Sequence, residues 1–255
     1  MALLILTAAA CAMEAPNGGS PTGNPLLETA APATAPMDPS GGRLHARPRP
    51  PTAAPAAPGL HQLTDALLYV PTGYRPDTPA PLAVMLHGAG GDARGGIDPF
   101  LPLADAAGLL LVAVESAEAT WDVIVESFGT DVARVDTALA HMFDRYAVDP
   151  RHLAVAGFSD GASYALSLGL TNGDLFSHVI AFSPGFAAPG EPVGEPAIFI
   201  THGVDDRVLP IDQTSRRLRP RLERAGYPLT YEEFAGGHVV PGDRTRRALE
   251  WFLAR

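Results

Sequence analysis

His152-Leu153-Ala154-Val155-Ala156-Gly157-Phe158-Ser159-Asp160-Gly161-Ala162-Ser163 reads as an apolar strand that runs into Gly-x-Ser-x-Gly and then into a small-residue helix. In that setting the serine occupies a strained strand-to-helix turn, and the two glycines stand where Cβ atoms would collide. The five-residue pattern alone is weak evidence in a chain with 26 glycines. Its placement between strand and helix is what singles out Ser159 as a nucleophile.

A serine on such an elbow is inert without a base, and in this arrangement an acid and then a histidine follow it in chain order. Both follow here. After the apolar run 197–200 come Thr201-His202-Gly203-Val204-Asp205-Asp206-Arg207-Val208-Leu209-Pro210, and after the run 229–234 come Ala235-Gly236-Gly237-His238. Each candidate lies just past the C-terminal end of an expected strand, the edge where active sites of α/β sheets assemble. Asp205 and Asp206 are adjacent, so their side chains point in different directions.

Further strands are expected over residues 66–70, 82–86, 109–114, 153–156 and 179–182. Val132, Val135, Leu139, Met142, Phe143 and Tyr146 recur at helical spacing and stop at Asp149-Pro150. Leu218, Leu222 and Ala225 mark another helix, which Pro220 must either kink or start. Apolar strands separated by helices predict an α/β fold with a mostly parallel sheet covered on both faces.

From about Leu63 to Phe252 the chain resembles the α/β-hydrolase superfamily. Within it the nearest groups are the phospholipase/carboxylesterase branch, which includes acyl-protein thioesterases, and the polyhydroxyalkanoate-depolymerase-like esterases. The matching motifs are Leu86-His87-Gly88-Ala89-Gly90-Gly91-Asp92, Gly157-Phe158-Ser159-Asp160-Gly161, His202-Gly203 with Asp206 four residues after the histidine, and Gly237-His238. The resemblance implies a Ser159–Asp206–His238 triad, with Asp206 rather than Asp205 as the acid, and an oxyanion hole built from the backbone amides of Ala89 and Asp160. It implies hydrolysis of carboxylic esters through an acyl-enzyme, with no metal and no organic cofactor. His87 and His202 then fix loops. His45, His61, His141, His152 and His178 have no motif partner and read as linker, surface or packing residues.

Only 14 residues, four of them proline, separate Phe182 from Ala197, too few for a cap domain over the site. An open site suits exposed or polymeric esters as well as small ones. The loop from Trp121 to Phe128, with Phe100, Phe186, Val239 and Val240, reads either as an apolar substrate wall or as plain core packing. The same triad also serves a peptidase, an amidase or a thioesterase, and a non-catalytic binding module would need a broken triad.

Composition excludes other chemistry. With 28 acidic against 18 basic residues the net charge is −10, which repels a phosphate backbone and argues against nucleic-acid binding. All the basic residues are arginine, so a Schiff-base lysine and a P-loop lysine are absent. The single cysteine allows no internal disulfide, and no His-Glu-x-x-His or His-x-His pattern points to a metal. The arginines from Arg216 to Arg224 read as a solvated helix face.

Residues 1–60 hold 11 of the 26 prolines and 15 alanines. That composition predicts a flexible linker over 14–59, ahead of a catalytic domain at 60–255. Residues 1–13 resemble the end of an export signal with a lipobox at Cys11, although no basic residue precedes the apolar run and Ala8 stands where leucine is usual. This reading places the protein in the cell envelope or outside the cell, with a membrane tether through Cys11, rather than in the cytoplasm. If Cys11 carries a lipid, Cys11→Ser should move the protein out of the membrane fraction of an expressing cell; an unchanged distribution would remove the tether.

Overall fold

Leu82, Val84 and Leu86 face one way along an expected strand and Ala83 and Met85 the other, and all five are buried. Such a strand needs cover on both faces. The computed structural model of the protein describes residues 40–254, and in it helices supply that cover. In chain order the elements are strands β1 (Gly59–Gln62), β2 (Ala66–Val70) and β3 (Ala80–Leu86), helices α1 (Ala93–Ile97) and α2 (Ala104–Ala107), and strand β4 (Leu110–Val114). Helices α3 (Asp122–Val125) and α4 (Thr130–Arg145), strand β5 (Val148–Phe158), helix α5 (Asp160–Thr171) and strands β6 (His178–Phe182) and β7 (Ala197–Gly203) follow. Helix α6 (Ser215–Arg224), strand β8 (Leu229–Phe234) and helix α7 (Gly242–Leu253) complete the series.

The strands form one sheet in the order β1-β2-β4-β3-β5-β6-β7-β8. β2 pairs antiparallel with both β1 and β4, and all other pairs are parallel. Because β3 sits between β4 and β5, the strand order reverses there, and a crevice opens past the C-terminal ends of β3 and β5. Register aligns the loops that matter: Leu86 lies opposite Gly157, Phe158 opposite Phe182, Phe182 opposite Thr201, and Gly203 opposite Phe234.

Val135, Leu139, Met142 and Phe143 of α4 and Leu166 and Leu168 of α5 pack on Val84, Val112 and Val155. The other face carries smaller side chains, Ala83, Ala113, Ala154 and Ala156, beneath Ile97, Phe100, Leu249 and Phe252. Pro220 lies inside α6, where it deprives the Arg216 carbonyl of its helical donor. Sequence reading missed β1, whose alternating burial spans only four residues at the sheet edge.

The linker expected over 14–59 does not hold for its described part, residues 40–59. Leu44 is only 2% exposed and belongs to the core. Its amide donates to Asn172 Oδ1 (2.9 Å), the amides of His45 and Ala46 to Asp136 Oδ1 (2.7 and 2.8 Å), and those of Thr52 and Ala53 to the Asp144 carbonyl (both 2.9 Å). Arg43 grips Asp174 with both terminal nitrogens (2.9 and 2.8 Å). Beyond the Leu44 and Arg43 side chains this strap holds through backbone donors, which a count of large side chains does not register, and its prolines, lacking an N–H, leave no donor unsatisfied.

Cys11, the export segment 1–13 and the first part of the expected linker, 14–39, lie outside the described residues. Among the described residues no helix is long and apolar enough to cross a membrane. Truncating the buried anchor, Leu44→Ala, should cost about 3 kcal/mol in a urea unfolding curve; a shift under about 0.5 kcal/mol would mean the strap contributes nothing to the fold.

Candidate active site

β5 delivers Ser159 to the crevice in a conformation that L residues avoid, φ 58° and ψ −119°. Such backbone costs roughly 1–3 kcal/mol and survives only where its surroundings over-determine it. Here the Ser159 amide donates to the Phe182 carbonyl (2.9 Å), and its own carbonyl accepts from the amides of Ala162 and Ser163 (3.0 and 3.1 Å). A Cβ on Gly157 would stand 2.2 Å from the Gly161 oxygen, and one on Gly161 2.3 Å from the Leu86 oxygen. Both glycines are therefore sterically required.

The three residues singled out from sequence meet. Ser159 Oγ donates to His238 Nε2 (2.8 Å), and His238 Nδ1 donates to Asp206 Oδ2 (2.6 Å). A carboxylate only accepts, which sets this tautomer. Asp206 is buried, and its Oδ1 accepts from the amides of Val208 and Leu209 (both 2.8 Å). Burial pushes its pKa up, but the hydrogen bonds from His238, Leu209 and Val208 outweigh burial and hold the acid below its ordinary value. Asp205 is exposed, and its amide binds the Gly236 carbonyl (2.9 Å).

His202 fixes the acid loop. Its Nε2 donates to the Leu209 carbonyl (2.9 Å) and lies 3.1 Å from Asp206 Oδ2, while Nδ1 accepts from Ser215 Oγ (2.7 Å). Burial lowers its pKa, so it stays neutral there. His87 likewise accepts the Ser116 amide on Nε2 (3.1 Å) and donates from Nδ1 to the Gly88 carbonyl (2.8 Å). The Gly91 amide closes a turn onto the Gly88 carbonyl (3.0 Å). Among the described residues, the amides of Ala89 and Asp160 donate to no protein acceptor, as an oxyanion hole requires.

Comparison with known proteins agrees with this architecture. Residues 137–217 match the family model described as "Putative esterase". The crystal structure of esterase PE8 superposes with a TM-score of 0.59 at 24% identity, covering 77% of this chain and 99% of that one. A phospholipase/carboxylesterase from Dyadobacter fermentans gives 0.59 at 20% identity, covering 79% and 100%. The chain has the α/β-hydrolase fold. A relative described as "Probable feruloyl esterase C" from Aspergillus flavus is 28% identical over 164 residues, 60% of each chain. The chain thus spans less than two thirds of that relative's length.

Within this α/β-hydrolase fold, two of the residues expected to line a substrate wall are core instead. Phe100 is fully buried against Phe182 (6.1 Å between ring centroids), and Trp121 is fully buried, stacked on Tyr164 (4.8 Å). Both are large apolar side chains behind, not along, the crevice, and sequence alone does not separate the two positions. Phe186 is half-buried, and Val239, beside His238, is 52% exposed. A cavity of about 340 Å³ beside the glycine-rich loop after β3 is lined by Gly88, Phe158, Phe182, Val240 and Pro99. A larger groove of about 820 Å³ between Gln62–Ala66 and α4 is lined by none of Ser159, Asp206 and His238.

Segment 183–196, where a cap would be inserted, carries no helix or strand of its own and is stapled to α5 by a ladder that sequence reading missed. Ser163, Ser167 and Thr171 each donate to the carbonyl four residues back and accept the amides of Gly185, Ala188 and Gly190 (2.9, 2.9 and 3.0 Å). Hydroxyls at i, i+4 and i+8 were the available signal.

A second missed pair supports the loop before α4. Asp122 Oδ2 accepts the amides of Gly129 and Asp131 (2.8 and 2.9 Å), while Asp131 accepts those of Ala117 and Asp122 (2.7 and 2.8 Å). Burial and then the neighbouring Asp131 charge push Asp122 up to about 6, and burial also raises Asp131. A carboxyl raised on folding stabilises most below its unfolded value near 4 and loses that contribution as pH rises through about 6. The Asp122 contribution to thermal stability should therefore fall between pH 4 and pH 7, so the Tm of the wild type should lose ground to that of Asp122→Asn as pH rises over that range. Equal slopes in the two proteins would take Asp122 out of the account.

Proposed function

We propose that the protein is a serine carboxylic-ester hydrolase working through Ser159, His238 and Asp206. One observation carries the reading: a serine on a strained elbow donates to a histidine (2.8 Å) whose other nitrogen donates to a buried carboxylate (2.6 Å), beside two unengaged amides. His238 takes the Ser159 proton as Oγ attacks the ester carbonyl. The amides of Ala89 and Asp160 receive the oxyanion, each such donor being worth about 3–4 kcal/mol in the transition state. Collapse expels the alcohol with the proton from His238, and water repeats the sequence on the acyl-enzyme. Asp206, ionised and held by two amides, keeps His238 in the productive tautomer and stabilises its charged form.

The substrate class follows from the surroundings. In this reading the uncapped crevice has an apolar rim, supplied by Val204, Val208 and Val239, which are exposed on the loops that carry the acid and the histidine. That rim suits short- to medium-chain esters and exposed or polymeric ones, and the Aspergillus flavus relative makes feruloyl esters a specific candidate. The reading predicts hydrolysis of p-nitrophenyl esters from acetate to palmitate and of methyl ferulate, with matched amides and thioesters markedly slower. Ser159→Ala should lower kcat by about 10⁶-fold and Asp206→Asn by about 10⁴-fold, whereas Asp205→Asn should stay within about twofold. Ester turnover that survives in Ser159→Ala would end the proposal, and faster amide or thioester turnover would move it to a peptidase or thioesterase.

A further inference from the structure

Three consecutive residues outside the triad reach both halves of the oxyanion hole. The Ala119 carbonyl accepts the Gly90 amide (2.6 Å), next to Ala89. Thr120 Oγ1 donates to Asp160 Oδ2 (2.6 Å). Trp121 Nε1 donates to the His87 carbonyl (2.8 Å). The tripeptide is itself anchored on both sides, since the amides of Ala117 and Asp122 are held by the two oxygens of Asp131 (2.7 and 2.8 Å) and Trp121 is buried on Tyr164. Its links therefore transmit position from a fixed frame rather than from a mobile loop.

We propose that Ala119-Thr120-Trp121 is the brace of the oxyanion hole and that Thr120 is a positioning residue for its Asp160 half. The proposal rests on the esterase reading above. Its chemistry lies in an awkward feature of the elbow: the residue whose amide must hold a developing negative charge carries a carboxylate of its own. A carboxylate folded over that amide competes with the substrate oxygen for the N–H and repels the oxyanion. Tied to Thr120, the Asp160 carboxylate is turned toward the brace and leaves the amide to the substrate. On the other side the Gly90 amide is engaged by Ala119, so the neighbouring Ala89 amide stays directed by a turn fixed at both ends.

Thr120→Val keeps the shape and deletes the donor, and Thr120→Ser restores it. With p-nitrophenyl acetate, kcat should fall about tenfold or more in Thr120→Val while KM stays within about twofold. Inhibition by phenylboronic acid, whose serine adduct places an oxygen in the hole, should weaken by the same factor. Thr120→Ser should return both quantities to within about threefold of wild type. Unchanged kcat and boronate affinity in Thr120→Val, or an equal loss in Thr120→Ser, would overturn the brace. If the wild type hydrolyses no ester, that result overturns the esterase reading instead. The brace is then judged by the rate at which a fluorophosphonate labels Ser159: slower labelling in Thr120→Val but not in Thr120→Ser supports it, and equal rates overturn it.

Discussion

The rest of the site depends on one close approach of backbone to backbone. The carbonyls of Leu86 and His87, at the end of β3, occupy the space that a side chain on Gly161 would need. Pressing the first turn of α5 onto the end of β3 forces the chain through a positive φ at Ser159. The strain at Ser159 is held by its neighbours, chiefly the Phe182 carbonyl from β6. The parallel registers then carry the level of that contact across the sheet to the acid loop after β7 and the histidine loop after β8.

Around this contact the protein uses side-chain acceptors to satisfy irregular backbone. Asp131 holds two amides of the loop before α4, Asp122 holds two more, and Asp136 holds two amides of the N-terminal strap. The hydroxyls of α5 do the same for segment 183–190. An uncapped site can therefore be bounded by ordered loops without added secondary structure. The arginines of α6 play no part in it: Arg216 pairs with Asp212 and Glu233, and Arg219 with Glu223 on the helix surface.

Much of the site was legible because its signals are local. Gly157 and Gly161 flank Ser159 for a reason that two residues of separation contain. The acid and histidine follow strands whose apolar runs mark their own ends, so His202-Gly203 and Gly237-His238 could be placed at one sheet edge before any contact was known. The helical spacing of Val132 through Tyr146 describes the buried face of α4. In each case, periodicity of 3.6 or 2 residues, or a steric demand within one turn, turns a short stretch into a statement about structure.

What sequence by itself determined is the α/β architecture, the strand-edge placement of Ser159, Asp206 and His238, and the net negative charge. Tertiary structure alone decided that Leu44 is core, that Phe100 and Trp121 lie behind the crevice, and that Thr120 meets Asp160. It also decided that Asp122 and Asp131 together hold the backbone of the loop before α4. The physical reason is range. Propensity and periodicity act between neighbours in the chain, whereas Leu44 on Asn172 and Thr120 on Asp160 join residues brought together only when the sheet order and its crossovers are set. A proline-rich segment with few large side chains resembles a tether until a helix edge and an asparagine present acceptors at the spacing of its amides.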